Sequence, residues 1–187
     1  YVPVAALHQY LDAEGWKEFT LFPMQEDISN LRVNLPEGIN VGDYTNMWLD
    51  LINQKNDQKL HYVMTDRTTY TFSNVIHNTS WDIVLRNQDG DIFGKIDDVQ
   101  MKEEDVSVTF ASLSKPQNVN LSVVDATGKD VTAQTQVTWT DAEGHYIAQG
   151  TSLKGLPSEK KVNYRVTLSQ ELAMQYNTPS IIEYVVQ

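Results

Sequence analysis

"TSLKGLPSEKKVNYRVTL", Thr151–Leu168, ends in eight residues that alternate without a break. Val162, Tyr164, Val166 and Leu168 fall on one side, and Lys161, Asn163, Arg165 and Thr167 on the other. Successive side chains of a strand point to opposite faces, so this is the pattern of a strand with one face on a core and one in water. Gly155-Leu156-Pro157, just before it, reads as a turn. The same parts stand in the same order at Thr69–Leu85, "TYTFSNVIHNTSWDIVL". Laid together, Phe72 falls on Leu153 and Asn74-Val75 on Gly155-Leu156. With a connection two residues longer in the second copy, Trp81 falls on Tyr164, Ile83 on Val166 and Leu85 on Leu168. A hairpin-like region precedes each copy, Trp48 to Met64 and Val137 to Ala148. Internal repetition sets architecture before single motifs do.

Period-two alternation recurs at Val106, Val108 and Phe110, at Val119, Leu121 and Val123, and at Thr135, Val137 and Trp139. Turn signals separate these runs: Pro36-Glu37-Gly38, Asp89-Gly90, Thr127-Gly128 and Ala142-Glu143-Gly144. Short strands at such spacing predict an all-β fold of sandwich type. The two sets predict two tandem immunoglobulin-like antiparallel β-sandwich domains, residues 1–112 and 113–187. The polar stretch "ASLSKPQ" links them, and its Pro116 discourages continued strand pairing. Helical signals are few. One short helix is expected over Pro3 to Glu14, before Gly15, and a single turn after Ser169 as N-cap. Leu7-x-Gln9-x-Leu11 echoes Leu168-x-Gln170-x-Leu172, which makes residues 1–24 the expected end of a preceding repeat, with an N-terminal helix and edge strand as the competing reading.

Ser152, Leu153, Gly155, Leu156, Pro157, Tyr164 and Val166 together resemble the strand–"gLp"–strand signature of carboxypeptidase-regulatory-like, or prealbumin-like, β-sandwich domains. "TFSNVIHNTSWDIVL" resembles it more loosely. The second copy lacks the Gly that usually follows "LP", having Ser158-Glu159 there, and Ile76 replaces the Pro in the first. The resemblance implies tandem, non-catalytic modules of larger secreted or surface-attached bacterial proteins. The partners it implies are neighbouring domains of a longer chain, a glycan or another surface protein. The location it implies is secreted or cell-surface, with the periplasm as a variant. The opening "YVPVAALHQYL", without an initiator Met, is expected of a processed or excised chain.

Composition narrows the function classes. The formal net charge of −11 argues against nucleic acid and anionic membrane surfaces, both of which need an excess of Lys and Arg. With no cysteine there is no disulfide, thiolate catalysis, zinc ribbon or iron–sulfur cluster. No apolar run approaches the roughly 18 residues of a membrane span.

No catalytic signature stands in the chain, and a non-catalytic role is expected. His8, His61, His77 and His145 are far apart and form no H-E-x-x-H pair. No G-x-S-x-G or S-x-x-K serine motif is present. The acidic run "NQDGDIFGKIDDVQMKEED" offers Asn87, Asp89 and Asp91 in a spacing that partly resembles a calcium loop. Asp98 stands where an EF-hand has Glu, and the Gly is fourth rather than sixth. The competing reading is an Asp-Gly hairpin turn followed by charged edge residues. Calcium is therefore the one cofactor weighed. Among the aromatics, Trp81 and Trp139 lie on the same face as Ile83 and Val137 and read as core residues. Trp16, beside charged neighbours, and Trp48, in the ambiguous run "NMWLDLI", are the candidates for stacking on a sugar ring, which would make a carbohydrate-binding pair of modules. Asn78-Thr79-Ser80 and Asn120-Leu121-Ser122 match the glycosylation acceptor pattern, to which no function is attached.

Overall fold

A computed structural model describes residues 27–187 except 57, together with Ala6, Gln9, Tyr10, Ala13 and Gly15. Trp16, His8, most of the expected N-terminal helix and most of the possible preceding repeat lie outside the described residues. The chain divides into two compact units, Tyr1–Leu113 and Ser114–Gln187.

Among the described residues the first unit has seven strands: β1 (Ile28–Asn34), β2 (Trp48–Asn53), β3 (Lys59–Val63), β4 (Thr69–Ile76), β5 (Ser80–Arg86), β6 (Ile92–Gln100) and β7 (Val106–Thr109). They form two sheets, ordered β4-β1-β7 and β3-β2-β5-β6. Pairing is antiparallel except between β1 and β7, which run parallel. The β6–β7 connection changes sheets, so no hairpin dictates the direction of β7. The inward rows carry Leu31 and Val33, Leu49 and Leu51, Phe72, and Trp81, Ile83 and Leu85, all at most 3% exposed. Each such side chain contributes about 1.5–3 kcal/mol relative to leaving it in water. The Trp81 indole keeps its hydrogen bond by donating to Thr79 Oγ1 at 2.6 Å. Gly94 on β6 lets Leu113 and Phe110 close over that strand, since a Cβ there would meet Leu113 Cδ2 at 2.3 Å.

The second unit has six strands: β8 (Gln117–Asn120), β9 (Thr135–Thr140), β10 (Tyr146–Gln149), β11 (Ser152–Leu156), β12 (Lys161–Leu168) and β13 (Ile182–Val185). Its sheets are ordered β11-β8 and β10-β9-β12-β13. Val119, Val137, Trp139, Leu153, Leu156, Val162, Val166 and Val186 form the core. Ser169 caps the one-turn helix Gln170–Ala173, its Oγ accepting from Leu172 N at 3.3 Å, as its sequence implies.

The repeat is present at residue level. Strands β1–β6 map onto β8–β13 in sequence order and in sheet order. Phe72 pairs with Leu31 and Leu153 with Val119, and a register shift follows in each ladder. Asn74 and Gly155 occupy that shift with φ of 59° and 66°. Four residues on, Asn78 and Glu159 again have positive φ, 56° and 66°. Asn78 N donates to Met101 O at 3.1 Å and Met101 N to Thr79 O at 2.9 Å. Glu159 N donates to Val186 O at 2.6 Å and Val186 N to Lys160 O at 2.9 Å. From Phe72 to Arg86, equivalent positions are therefore a constant 81 residues apart.

That offset corrects one expectation. The connection into the second alternating strand is no longer in one copy than in the other, so Trp81 corresponds to Val162 and not to Tyr164. The hairpins after β2 and β9 prove the register, closing at Asn53 (N to Gln58 O, 2.8 Å) and Asp141 (N to His145 O, 2.9 Å). Leu51 pairs with Ile83 where Trp139 pairs with Tyr164, and Leu49 with Leu85 where Val137 pairs with Val166. The large core indole has moved between strands, from β5 in one unit to β9 in the other.

Candidate functional site

On strand β2, Leu49 and Leu51 face the core, which places Trp48, Asp50 and Ile52 on the opposite face. A carboxylate is expected to be solvated there, yet Asp50 is 0% exposed. Its neighbours enclose it. Arg86, on β5, donates from Nε to Asp50 Oδ2 at 2.6 Å. Lys59, on β3, reaches the same oxygen at 3.7 Å. Asp50 Oδ1 has no hydrogen-bond partner among the described residues. The Arg86 guanidinium also lies 4.3 Å from the Trp48 ring centroid, a cation–π contact. From the other flanking strand, His61 stacks on Trp48 with ring centroids 5.9 Å apart and an interplanar angle of 26°. Trp48, Asp50, His61 and Arg86 thus form one aromatic and charged cluster across β3, β2 and β5. Its indole is bracketed by cross-strand neighbours rather than presented to solvent as a bare platform. Chemically the cluster joins two opposite charges at short range. The sequence pointed to Trp48 but not to Asp50 or Arg86. The signal it held was an Asp in the middle of an apolar run.

The acidic run folds into two separate devices. Asn87 opens a turn in which its Oδ1 accepts from Asp91 N at 2.8 Å and its Nδ2 donates to Asp91 Oδ2 at 3.1 Å. Both side chains are occupied in closing the turn, and Asp89 is exposed. Two other turns have the same form. "DATGK" closes with Asp125 Oδ1 accepting from Thr127 N at 2.8 Å and Lys129 N at 3.1 Å. "DAEGH" closes with Asp141 Oδ1 accepting from His145 N at 2.7 Å. In all three an Asn or Asp leads, a Gly of positive φ stands fourth, and the fifth residue returns its N–H to the first side chain. This is hairpin-turn chemistry. Hydrogen bonds from Thr127, with help from Lys129, hold the Asp125 carboxyl below the usual carboxylate range. Burial works to raise Asp141, but the backbone and ring donors of His145 outweigh it, and that carboxyl too lies low.

The second device is a bulge in β6, where Asp98 takes φ of 57°. Ser80 Oγ donates to Asp98 Oδ1 at 2.5 Å, and Asp98 N donates to Asp82 Oδ1 at 3.1 Å. Asp97 pairs with Lys95. Asp105 accepts from Asn30 N at 2.9 Å and Nδ2 at 3.1 Å, tying the start of β7 to β1. Asp97, Asp98, Glu104 and Asp105 border an open groove of about 580 Å³ between β6 and β7.

Among the described residues, the group whose ligand atoms come within 4.8 Å of one another is Asp141, Glu143 and His145, on the β9–β10 turn. Both Asp141 oxygens already accept from His145, the ring Nδ1 lying 2.9 Å from Oδ2. His77 is buried, with its backbone bonded to Asp27 O at 2.8 Å.

The sequence matches no protein-family model and no curated protein. Among solved structures it is similar to the Bacillus anthracis TIE protein, at 12% identity and a TM-score of 0.33 over 86% of this chain. The match spans 31% of that protein's length. It is also similar to a candidate carbohydrate binding protein from Bacteroides uniformis, at 11% identity and a TM-score of 0.36, covering 84% of this chain and 99% of that one. A C-terminal fragment of the pilus adhesin SpaC from Lactobacillus rhamnosus GG aligns at 9% identity and a TM-score of 0.35, over 87% and 82% of the two chains. No helix among the described residues is long and apolar enough to cross a membrane.

Proposed function

We propose that this chain is a pair of non-catalytic β-sandwich modules, serving as a spacer or binding scaffold in a larger secreted or cell-surface protein. One observation carries the reading: what recurs between the two units is scaffold. The recurring positions are a bulge residue at 74 and 155, a turn residue at 78 and 159, and a bonded core residue at 101 and 186. The polar clusters do not recur. The second unit has Gln136, Thr138 and Thr167 where the first has Trp48, Asp50 and Arg86, and its own exposed acidic turn has no histidine counterpart in the first. A module kept for its frame preserves core, bulge and turn, while an enzyme also needs a convergent site of matched groups.

The experiment is a turnover screen of the full chain on ester, peptide and glycoside substrates, with and without calcium, alongside a polysaccharide array. The expected result is no turnover and no calcium-dependent change in stability. Turnover that a single substitution abolishes would overturn the proposal. In this reading Trp48 is structural, because a sugar stacking on its ring would have to displace His61 or Arg86. Array binding lost in Trp48→Ala, with the fold intact, would replace the spacer reading with a carbohydrate-binding one.

A further inference from the structure

The outer face of the four-stranded sheet is built differently in the two units. In the first it is closed by its own side chains. Asp50 and Val84, paired across β2 and β5, are 0% and 5% exposed, and Arg86 is bonded to Asp50. In the second, Val137 and Trp139 face the core, which places Thr138 and Thr140 outward. Thr138 pairs with Arg165 across β9 and β12, at the positions of Asp50 and Val84. The acid of the first unit has become a threonine, and its valine an arginine.

That exchange leaves a cation without an acid. The Arg165 side chain is exposed and has no ion pair or hydrogen bond among the described residues. Acids on neighbouring elements are turned to other partners, Asp141 to His145 at 2.9 Å and Glu183 to Lys161 at 3.4 Å. The hydroxyls of Thr138, Thr140 and Thr167, on the same face, are likewise free of hydrogen bonds among the described residues. A groove of about 400 Å³ runs among these four side chains, bordered also by Gly144 and Ile181. That is the size of a small-ligand cleft. Tyr146 pairs with Thr140 and so shares this face. At 68% exposed it is the most exposed Tyr, Trp or Phe among the described residues. Two strand spacings across and two residues along separate it from Arg165, about 12 Å between Cα atoms.

We propose that this face binds an acidic glycan, a saccharide whose rings carry carboxylates, as a hexuronic acid chain does. Arg165 takes the carboxylate on its planar fork, which matches two carboxylate oxygens. Tyr146 offers its ring to the apolar face of another sugar of the same chain, and the threonine hydroxyls between them exchange hydrogen bonds with sugar hydroxyls. A neutral sugar would leave Arg165 unused, and a small acid alone would leave Tyr146 unused. Net charge does not oppose such a ligand here. The second unit has six basic and seven acidic residues, so nearly all of the formal −11 lies in the first. The inference rests on reading the chain as a binding scaffold. Turnover would overturn that reading, whereas absence of binding at this face would overturn this inference alone.

Amide NMR titration of the full chain tests it. The probe is trigalacturonate, with its methyl ester and sodium acetate as controls. Saturable shifts are expected at Thr138, Thr140, Tyr146 and Arg165 with the probe. Affinity for the methyl ester should be at least about tenfold lower, because a hydrogen-bonded charge is lost. Arg165→Gln should bring the affinity for the acid down to that for the ester, and Tyr146→Ala should weaken both. Thr138→Asp sets a carboxylate beside Arg165, as Asp50 stands beside Arg86, and should abolish binding while the rest of the spectrum stays folded. No saturable shift in the unaltered chain would overturn the proposal. So would equal affinity for acid and ester, since Arg165 would then take no part. An equal response to acetate would overturn it too, since the sugar would then contribute nothing.

Discussion

Asp50 is the side chain that most constrains the first unit. A buried carboxylate is tolerable only when paired, and Arg86 Nε supplies the pairing at 2.6 Å. Removing Arg86 leaves that charge enclosed without its main partner, so Arg86→Ala is expected to cost about 3–5 kcal/mol. Replacing both residues together, as Asp50→Leu with Arg86→Met, removes the unpaired charge and should cost much less. Urea denaturation of the three variants, followed at the transition of the first unit, checks both numbers. The cluster also explains why "NMWLDLI" was hard to read. Trp48 and Ile52 are half-buried and Asp50 is fully buried on the face that should be wet, so burial along β2 does not alternate as its side-chain directions do. Asp125 shows the opposite case, a half-buried acid whose partners are legible from Asp, Thr and Gly spacing. Its folded carboxyl lies below the ordinary range, held there first by the Thr127 hydroxyl. A depressed folded value contributes stability above the unfolded pKa, and that stability is lost as pH falls through the folded one. The thermal midpoint of the second unit should therefore drop as pH is lowered from about 5, and drop less in Asp125→Asn. An identical acid slope in the variant would mean that the turn does not carry the effect.

At the scale of elements, the turn between β4 and β5 and the turn between β11 and β12 are one design with different residues. Both need left-handed backbone at their second αL position, φ of 56° at Asn78 and 66° at Glu159. Asn accepts that conformation readily, and a longer β-carbon-bearing side chain such as Glu does so at a cost of about 1–2 kcal/mol. Glu159→Asn is expected to stabilise the second unit by about 1 kcal/mol. The bulge gives the converse. Gly155 has φ of 66° and open space where a Cβ would go, so Gly155→Ala should cost about 1 kcal/mol through backbone strain alone. Equilibrium unfolding of the two variants separates these outcomes, and a neutral Glu159→Asn would mean the strain is relieved elsewhere. The match of Asn74-Val75 to Gly155-Leu156 was legible because turn and bulge residues are chosen for backbone conformation, a constraint local to the sequence. The match of Trp81 to Tyr164 failed because it relied on side-chain bulk. A core needs its volume filled, and whether β5 or β9 supplies the indole is decided by packing across strands, which spacing along one strand does not record.

At the scale of the molecule, the polar stretch around Ser112–Gln117 was expected to separate two domains that fold independently. The first unit has a core of many fully buried side chains, Trp81, Phe110 and Met64 among them. The second relies on a smaller set, with Leu121, Val123, Tyr164 and Leu168 only partly covered. Burial of apolar area is the dominant favourable contribution to folding, so the two should differ in stability in that order. Limited proteolysis should cleave near Lys115, which is exposed and follows the last core contact of the first unit at Leu113. Two folded fragments are expected, and calorimetry of the intact chain should show two transitions, the second unit melting first. A single transition, with both halves lost together after cleavage at Lys115, would mean that the chain unfolds as one cooperative body and that the linker reading is wrong.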